Sequence, residues 1–280
     1  MRKLLSANFA RLWKFGFFWI CMGFMLGYSL VYMLNGCRQA LAMPEISFTL
    51  DQFYFHSALS VGAFCACLTS MFLSAEYGDG IVRNKIVTGA LRRDIYLSNL
   101  VLVFTATLLL LGVWWIGALA AVPVLGVWKM RFSELLIYLL IAVLFTAAFS
   151  AFFTLVSMLC ENNSAAGVVS LILFCGLLLL AALIDNSLSQ PETISGYSVT
   201  IDGIQTVKPQ SLPNPHYIHG QWRVILQYVL DFLPTGQGLQ MWLLEIADTG
   251  QVIRMMLSSV LITVVTTICG ILFFQKKDMK

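Results

Sequence analysis

Long apolar runs alternate with short polar ones along the whole chain. Residues 15–34, 57–75, 95–121, 135–160, 165–184 and 252–274 each approach or exceed the roughly 20 apolar residues that cross a bilayer core. Pro123 and Gly126 break the third run. This pattern predicts an all-α polytopic membrane protein with six transmembrane helices, a single unit over residues 1–280. Ahead of the first run, Leu5, Phe9 and Leu12 recur at i, i+4 and i+7 beside Arg2, Lys3, Arg11 and Lys14. That spacing predicts an interfacial helix over 1–14, its apolar face at the acyl boundary and its cations toward anionic headgroups.

A basic start before an apolar run also imitates a signal peptide. Ala40-Leu41-Ala42 resembles a cleavage site, and Leu34-Asn35-Gly36-Cys37 resembles a lipoprotein box with a poorly fitting Asn35. The run exceeds the roughly 7–15 residues of a signal segment, so an uncleaved span is expected. Within it, Gly23-x-x-x-Gly27 permits close helix approach, either inside the subunit or at a homodimer seam.

Between the spans, residues 35–55, with Pro44, read as a polar external loop. Residues 161–164 read as a tight cytoplasmic turn. The longest polar region is 185–250. Its first part reads as loop, through Pro191, Pro209, Pro213 and Pro215, with a hairpin near Asp202-Gly203. In the second part Trp222, Ile225, Leu226, Val229 and Leu230 repeat at helical spacing until Pro234 and Gly236 interrupt them. Leu239, Met241, Trp242, Leu243 and Leu244 form another short apolar stretch. Both are too short to cross, so they predict re-entrant or interfacial helices.

Composition agrees with the pattern. Hydrophobic residues make up 59% of the chain and charged residues 11%, against about a quarter charged in soluble domains. A soluble catalytic domain is therefore excluded. The net charge of +3 matters less than its placement. One side of a six-span arrangement collects Arg2, Lys3, Arg11, Lys14, Arg83, Lys85, Arg92, Arg93, Lys276, Lys277 and Lys280. The other holds Arg38, Lys129, Arg131, Lys208, Arg223 and Arg254 over more loop. The excess near the span ends predicts cytoplasmic termini in a plasma membrane protein. The seven cysteines mostly lie within spans and read as small packing residues.

The densest polar run between spans is 76–94. Asp79 is placed to cap a short helix over 80–88, and Gly89 to end it. Val82, Ile86 and Val87 are expected on one face, and Asn84, Lys85 and Thr88 on the other. The pattern Glu-Tyr-x-x-Gly-x-x-Arg-Asn-Lys followed by Gly-x-x-Arg and a new span resembles permeases of ABC-2-type exporters. The resemblance extends to the N-terminal helix and to the helices before the last span. It implies a coupling helix that docks on a separate ATPase subunit through Glu76, Gly80, Val82, Arg83, Asn84, Lys85 and Ile86. Glu76 is expected to pin the segment through Arg83 or Arg92. It also implies a second permease copy, and ATP and Mg bound by the partner.

No Gly-x-x-x-x-Gly-Lys-Ser/Thr loop occurs, so the chain is not expected to hydrolyse ATP itself. His216-x-x-His219 lacks a nearby carboxylate and is a weak metal pair. Nothing points to nucleic acid. The spans carry almost no ionisable residue, which argues against ion coupling. Phe17, Trp114 and Trp115 are candidates for an apolar cargo pathway, with packing as the alternative for each. Trp222, Pro234, Gly236 and Trp242 are candidates for an external gate, with Pro234 and Gly236 as its hinge. The expected function is export of a hydrophobic or amphipathic cargo, a peptide above a drug or lipid. The alternative is a non-transporting sensor or immunity protein that binds a peptide at its external region.

Overall fold

The computed structural model describes every residue except 44, 46, 47, 127, 161, 162, 195, 196, 202, 203, 209–211, 245, 247 and 278–280. The side chains of 52, 163, 164, 197–201 and 204–208 are also outside the description. The element order is α1 (Arg2–Lys14), α2 (Gly16–Ala42), α3 (Leu50–Tyr54), α4 (Ser57–Gly78), α5 (Ile81–Val87) and α6 (Arg92–Ala118). A 3-10 turn continues α6 into α7 (Val122–Leu125), before α8 (Phe132–Leu159) and α9 (Asn163–Leu188). Four short strands follow: β1 (Thr193–Ile194), β2 (Tyr197–Ile201), β3 (Ile204–Lys208) and β4 (Leu212–Pro213). The chain ends with α10 (Gln221–Phe232), α11 (Pro234–Leu243) and α12 (Thr249–Lys276). Six helical stretches among the described residues are long and apolar enough to cross a membrane, as in a multi-pass membrane protein.

Several boundaries differ from the sequence reading: α9 runs through Leu188 into the region read as loop, and α3 lies within residues 35–55. Helix α2 continues through Ala42, taking in residues 35–42 that read as loop. Arg38, Gln39, Ala40 and Leu41 are good helix formers, and Gly36 there lies against the ring of Phe53. Pro123 does not end the third span, because it sits in the first turn of α7, where its missing N–H needs no acceptor. The expected turn at 161–164 lies largely outside the described residues. The expected hairpin is present as β2 paired antiparallel with β3, its Asp202-Gly203 turn again outside the description.

Helices α4 and α8 form the middle of the bundle. Helix α4 packs on α6, α8, α9 and α11, while α8 also holds α6 and α12. Helix α2 lies beside α6 on one flank. Among the described residues, nothing in the chain comes within 4 Å of a Cβ placed on Gly23 or Gly27, so the subunit itself makes no use of their small size.

Helix α1 and the C-terminal end of α12 lie at one end of the bundle, where cations close the helix C-termini. Arg92 Nη1 donates to the carbonyls of Phe274, Gln275 and Lys277 at the end of α12. Lys277 Nζ donates to Met158 and Leu159 at the end of α8, at 3.1 Å each. Unpaired terminal carbonyls carry partial negative charge, so a cation there satisfies both the hydrogen bond and the helix dipole.

Candidate functional site

Glu76, in the last turn of α4, is completely buried. A buried carboxylate needs donors and counter-charge to persist. Glu76 Oε1 accepts from Arg11 Nη1 of α1 at 2.6 Å and from Lys85 Nζ of α5 at 2.7 Å. Its Oε2 accepts from Asn99 Nδ2 of α6 at 2.8 Å. Lys85 Nζ also donates to Asn8 Oδ1 of α1 at 2.8 Å, and Asn8 Nδ2 donates to Asn99 Oδ1 at 2.7 Å. Glu76, Lys85, Asn8 and Asn99 thus close a hydrogen-bonded ring with one side chain from each of α4, α5, α1 and α6. Arg11 braces it from outside, donating to Phe72 O at 2.8 Å with its guanidinium 4.2 Å above the Phe72 ring.

The ring corrects three expectations. Lys85 points into the bundle and is only 9% exposed, whereas Val87 is 78% exposed. The carboxylate in the α4 terminus outweighs the apolar preference that would turn Lys85 to water. Glu76 pairs with Arg11 and Lys85, while Arg83 is exposed and Arg92 caps α12. Helix α1 buries Asn8 and Leu12 against the bundle, so Leu12, expected with Leu5 and Phe9 at the acyl boundary, turns instead to the protein beside a polar residue. Asn8 and Asn99 escaped the sequence reading, and Arg11 figured there only as a headgroup-facing cation. The available signal was an Asn within the apolar face of 1–14, and Ser98-Asn99 inside an apolar run.

Helix α5 itself starts without a side-chain cap. Asp79 ends α4, and Gly80 enters α5 in the left-handed region at φ 65°. The far end stops as expected. Gly89, at φ 85°, donates from its N–H to Ile86 O, and Ala90 N–H reaches back to Lys85 O. Val82 is buried and Ile86 partly buried against the bundle, which leaves Arg83, Asn84, Val87 and Thr88 on the outer face.

At the opposite end, α10 and α11 meet at Leu233. Pro234 occupies the first turn of α11, and Gly236 lies within that helix rather than breaking it. A Cβ on Gly236 would collide with Leu230 O, so the glycine serves close packing rather than a hinge. Trp222 is exposed, while Trp242 donates to Tyr32 Oη at 3.3 Å. The four gate candidates therefore do not converge. A polar cluster that sequence reasoning missed lies beside them. Asp231 is buried and accepts from Arg254 Nε at 2.9 Å and Gln227 Nε2 at 3.0 Å. Gln240 joins it by accepting from Gln227 and Gln251. The repeated Gln in a short apolar stretch was its available signal.

Trp114 is fully buried and donates to Tyr54 O at 2.9 Å, which makes it a packing residue. Trp115 stacks on Tyr54. Phe17 lies at the other end, lining an apolar cavity of about 330 Å³ between α2 and α4 with Phe24 and Phe64. Trp114 and Trp115 thus both meet Tyr54, apart from the cavity that Phe17 lines. His56 stacks on Tyr32 at 4.0 Å, and its Nε2 lies 2.6 Å from Tyr28 Oη. Burial lowers its pKa to about 4. Among the described residues no group of three or more His, Cys, Asp or Glu is arranged to hold a metal. Comparison with family models, curated proteins and solved structures finds no match.

Proposed function

We propose that the chain is the permease subunit of an ATP-driven exporter of the ABC-2 type. A separate ATPase subunit, which binds ATP and Mg, docks on the outer face of α5, and a second permease copy completes the transmembrane unit. In this reading both termini are cytoplasmic, α1 lies at the membrane surface, α10 and α11 are the external helices before the last span, and the membrane is the plasma membrane. The exposed Gly23 and Gly27 face of α2 is open to the second copy. The cargo is hydrophobic or amphipathic, with a peptide as the favoured class.

One observation carries the reading. A docking element that transmits force must be short, exposed on one face and rigidly attached on the other. Helix α5 has an outer face of Arg83, Asn84, Val87 and Thr88, and its inner face is tied through Lys85 to α1, α4 and α6. The test is purification of the chain from its own cells in mild detergent, followed by reconstitution into vesicles. An ATPase subunit should copurify, and a labelled cationic amphipathic peptide should accumulate only when ATP is supplied on the α5 side. Purification without any nucleotide-binding chain would overturn the reading, and ATP-independent movement would do the same.

A further inference from the structure

Two cavities of opposite chemistry lie along the seam between α10 and α12. The first, of about 370 Å³, has Asp185 of α9, Arg223 of α10 and Arg254 of α12 in its wall. The second, of about 320 Å³, is apolar and is walled by Phe232, Leu261 and Val265 among others. Arg254, Leu261 and Val265 are spaced i, i+7 and i+11, so they lie on one face of α12. The apolar cavity therefore begins about 10 Å further along that face than Arg254, at 1.5 Å of rise per residue. Helix α12 starts at Thr249 and has 28 residues. That is about 42 Å, longer than the roughly 30 Å hydrocarbon core. Its first turns are thus placed at headgroup depth and the apolar cavity at acyl depth.

The polar cavity holds two groups without a partner among the described residues. Arg223 Nη2 donates to Leu188 O at 2.6 Å, and the guanidinium lies 4.9 Å from the Tyr217 ring. Its Nη1 is buried with no acceptor among the described residues. The carboxylate of Asp185 lines the same cavity and has no hydrogen-bond or ion-pair partner among the described residues. A buried guanidinium N–H calls for an anionic acceptor, and a free carboxylate beside it calls for an ammonium. Arg254 adds positive charge at the wall but is already paired with Asp231 at 2.9 Å. Asp248, also at the wall, caps α12 by accepting from Gln251 N–H.

We propose that this seam holds a glycerophospholipid with an ethanolamine headgroup. The phosphate accepts from Arg223 Nη1, the ammonium faces Asp185, and one acyl chain fills the apolar cavity beside Leu261 and Val265. The headgroup cavity is mixed in sign, which disfavours a purely anionic lipid. The free Asp185 oxygen favours a primary ammonium, which donates hydrogen bonds, over a quaternary one, which does not. The inference does not rest on the exporter reading, because it concerns the chain without any partner.

The test is native mass spectrometry of the delipidated chain in detergent, titrated with phosphatidylethanolamine, phosphatidylglycerol and phosphatidylcholine of identical acyl chains. Phosphatidylethanolamine should bind at least tenfold more tightly than the other two. Arg223→Gln should weaken it at least tenfold, and so should Leu261→Trp, which fills the acyl cavity. Asp185→Asn should leave phosphate recognition intact and abolish the preference for ethanolamine over choline. Because the Asp185 carboxylate has no partner among the described residues, that variant keeps the test open if Arg223→Gln fails to fold. Equal binding of the three lipids, or an ethanolamine preference that survives Asp185→Asn, would overturn the proposal.

Discussion

Glu76 has two cationic partners and one amide donor around a carboxylate with no exposed surface. Removing its charge leaves Arg11 and Lys85 facing each other without an anion between them. Breaking a buried pair from one side costs about 3–5 kcal/mol, because the remaining charge stays desolvated. Glu76→Gln should therefore lower the unfolding temperature in detergent, and amide exchange in α5 should accelerate ahead of the rest of the chain. Unchanged protection in α5 would mean that the ring does not hold the helix. His56 carries a pH consequence. Its pKa falls from 6.5 to about 4 by burial among Tyr28, Tyr32, Trp114 and Trp242. The unfolded chain then takes up the proton first, so this contribution is complete above pH 6.5 and declines as pH falls toward 4. The unfolding temperature should drop over that window in the native protein, and less in His56→Phe.

Among the helices, α5 shows what the sequence could and could not convey. Gly89 marks its end because a left-handed stop favours glycine whatever the surroundings, and that local rule held. The side facing the bundle was misread at Lys85, because a lysine turns inward only where a carboxylate from another element awaits it. Glu76 lies nine positions away on α4, and Asn8 and Asn99 are further still, so no local periodicity joins them. Pro234 likewise marked a true boundary between α10 and α11. Gly236 was misread as a hinge because its use, close passage of Leu230 O, is a tertiary contact. The contact between α6 and α12 depends on a comparable detail. A Cβ on Gly270 would overlap the Tyr96 ring and hydroxyl. Tyr96 is fully buried, so it has little room to yield. Gly270→Ala should destabilise the chain by about 1–3 kcal/mol through overpacking, read as a lowered unfolding temperature. Gly112→Ala, at a site with nothing within 4 Å, should not.

At the scale of the molecule, the six spans were legible because each is an uninterrupted apolar run, a property of composition and length alone. Their mutual arrangement was not, since it is set by close approaches such as that at Gly270 and by buried polar rings. The proposed mechanism needs the bundle to move when a partner pushes on one end, and the connections run the right way. The ring joins α5 to α4, α4 packs on α8, α9 and α11, and Arg92 and Lys277 tie the ends of α6, α8 and α12 together. In the proposed mechanism a push on the outer face of α5 would pass through these contacts to helices that extend to the opposite end of the bundle. The most direct measurement is site-specific photocrosslinking in intact cells, with a photoreactive residue replacing the exposed Val87 and, separately, the exposed Trp222 at the far end. The account predicts that position 87 crosslinks to a nucleotide-binding subunit and position 222 does not. A chain that expresses and folds but gives no such crosslink at 87, or gives it only at 222, would contradict the assignment of α5 as the docking element.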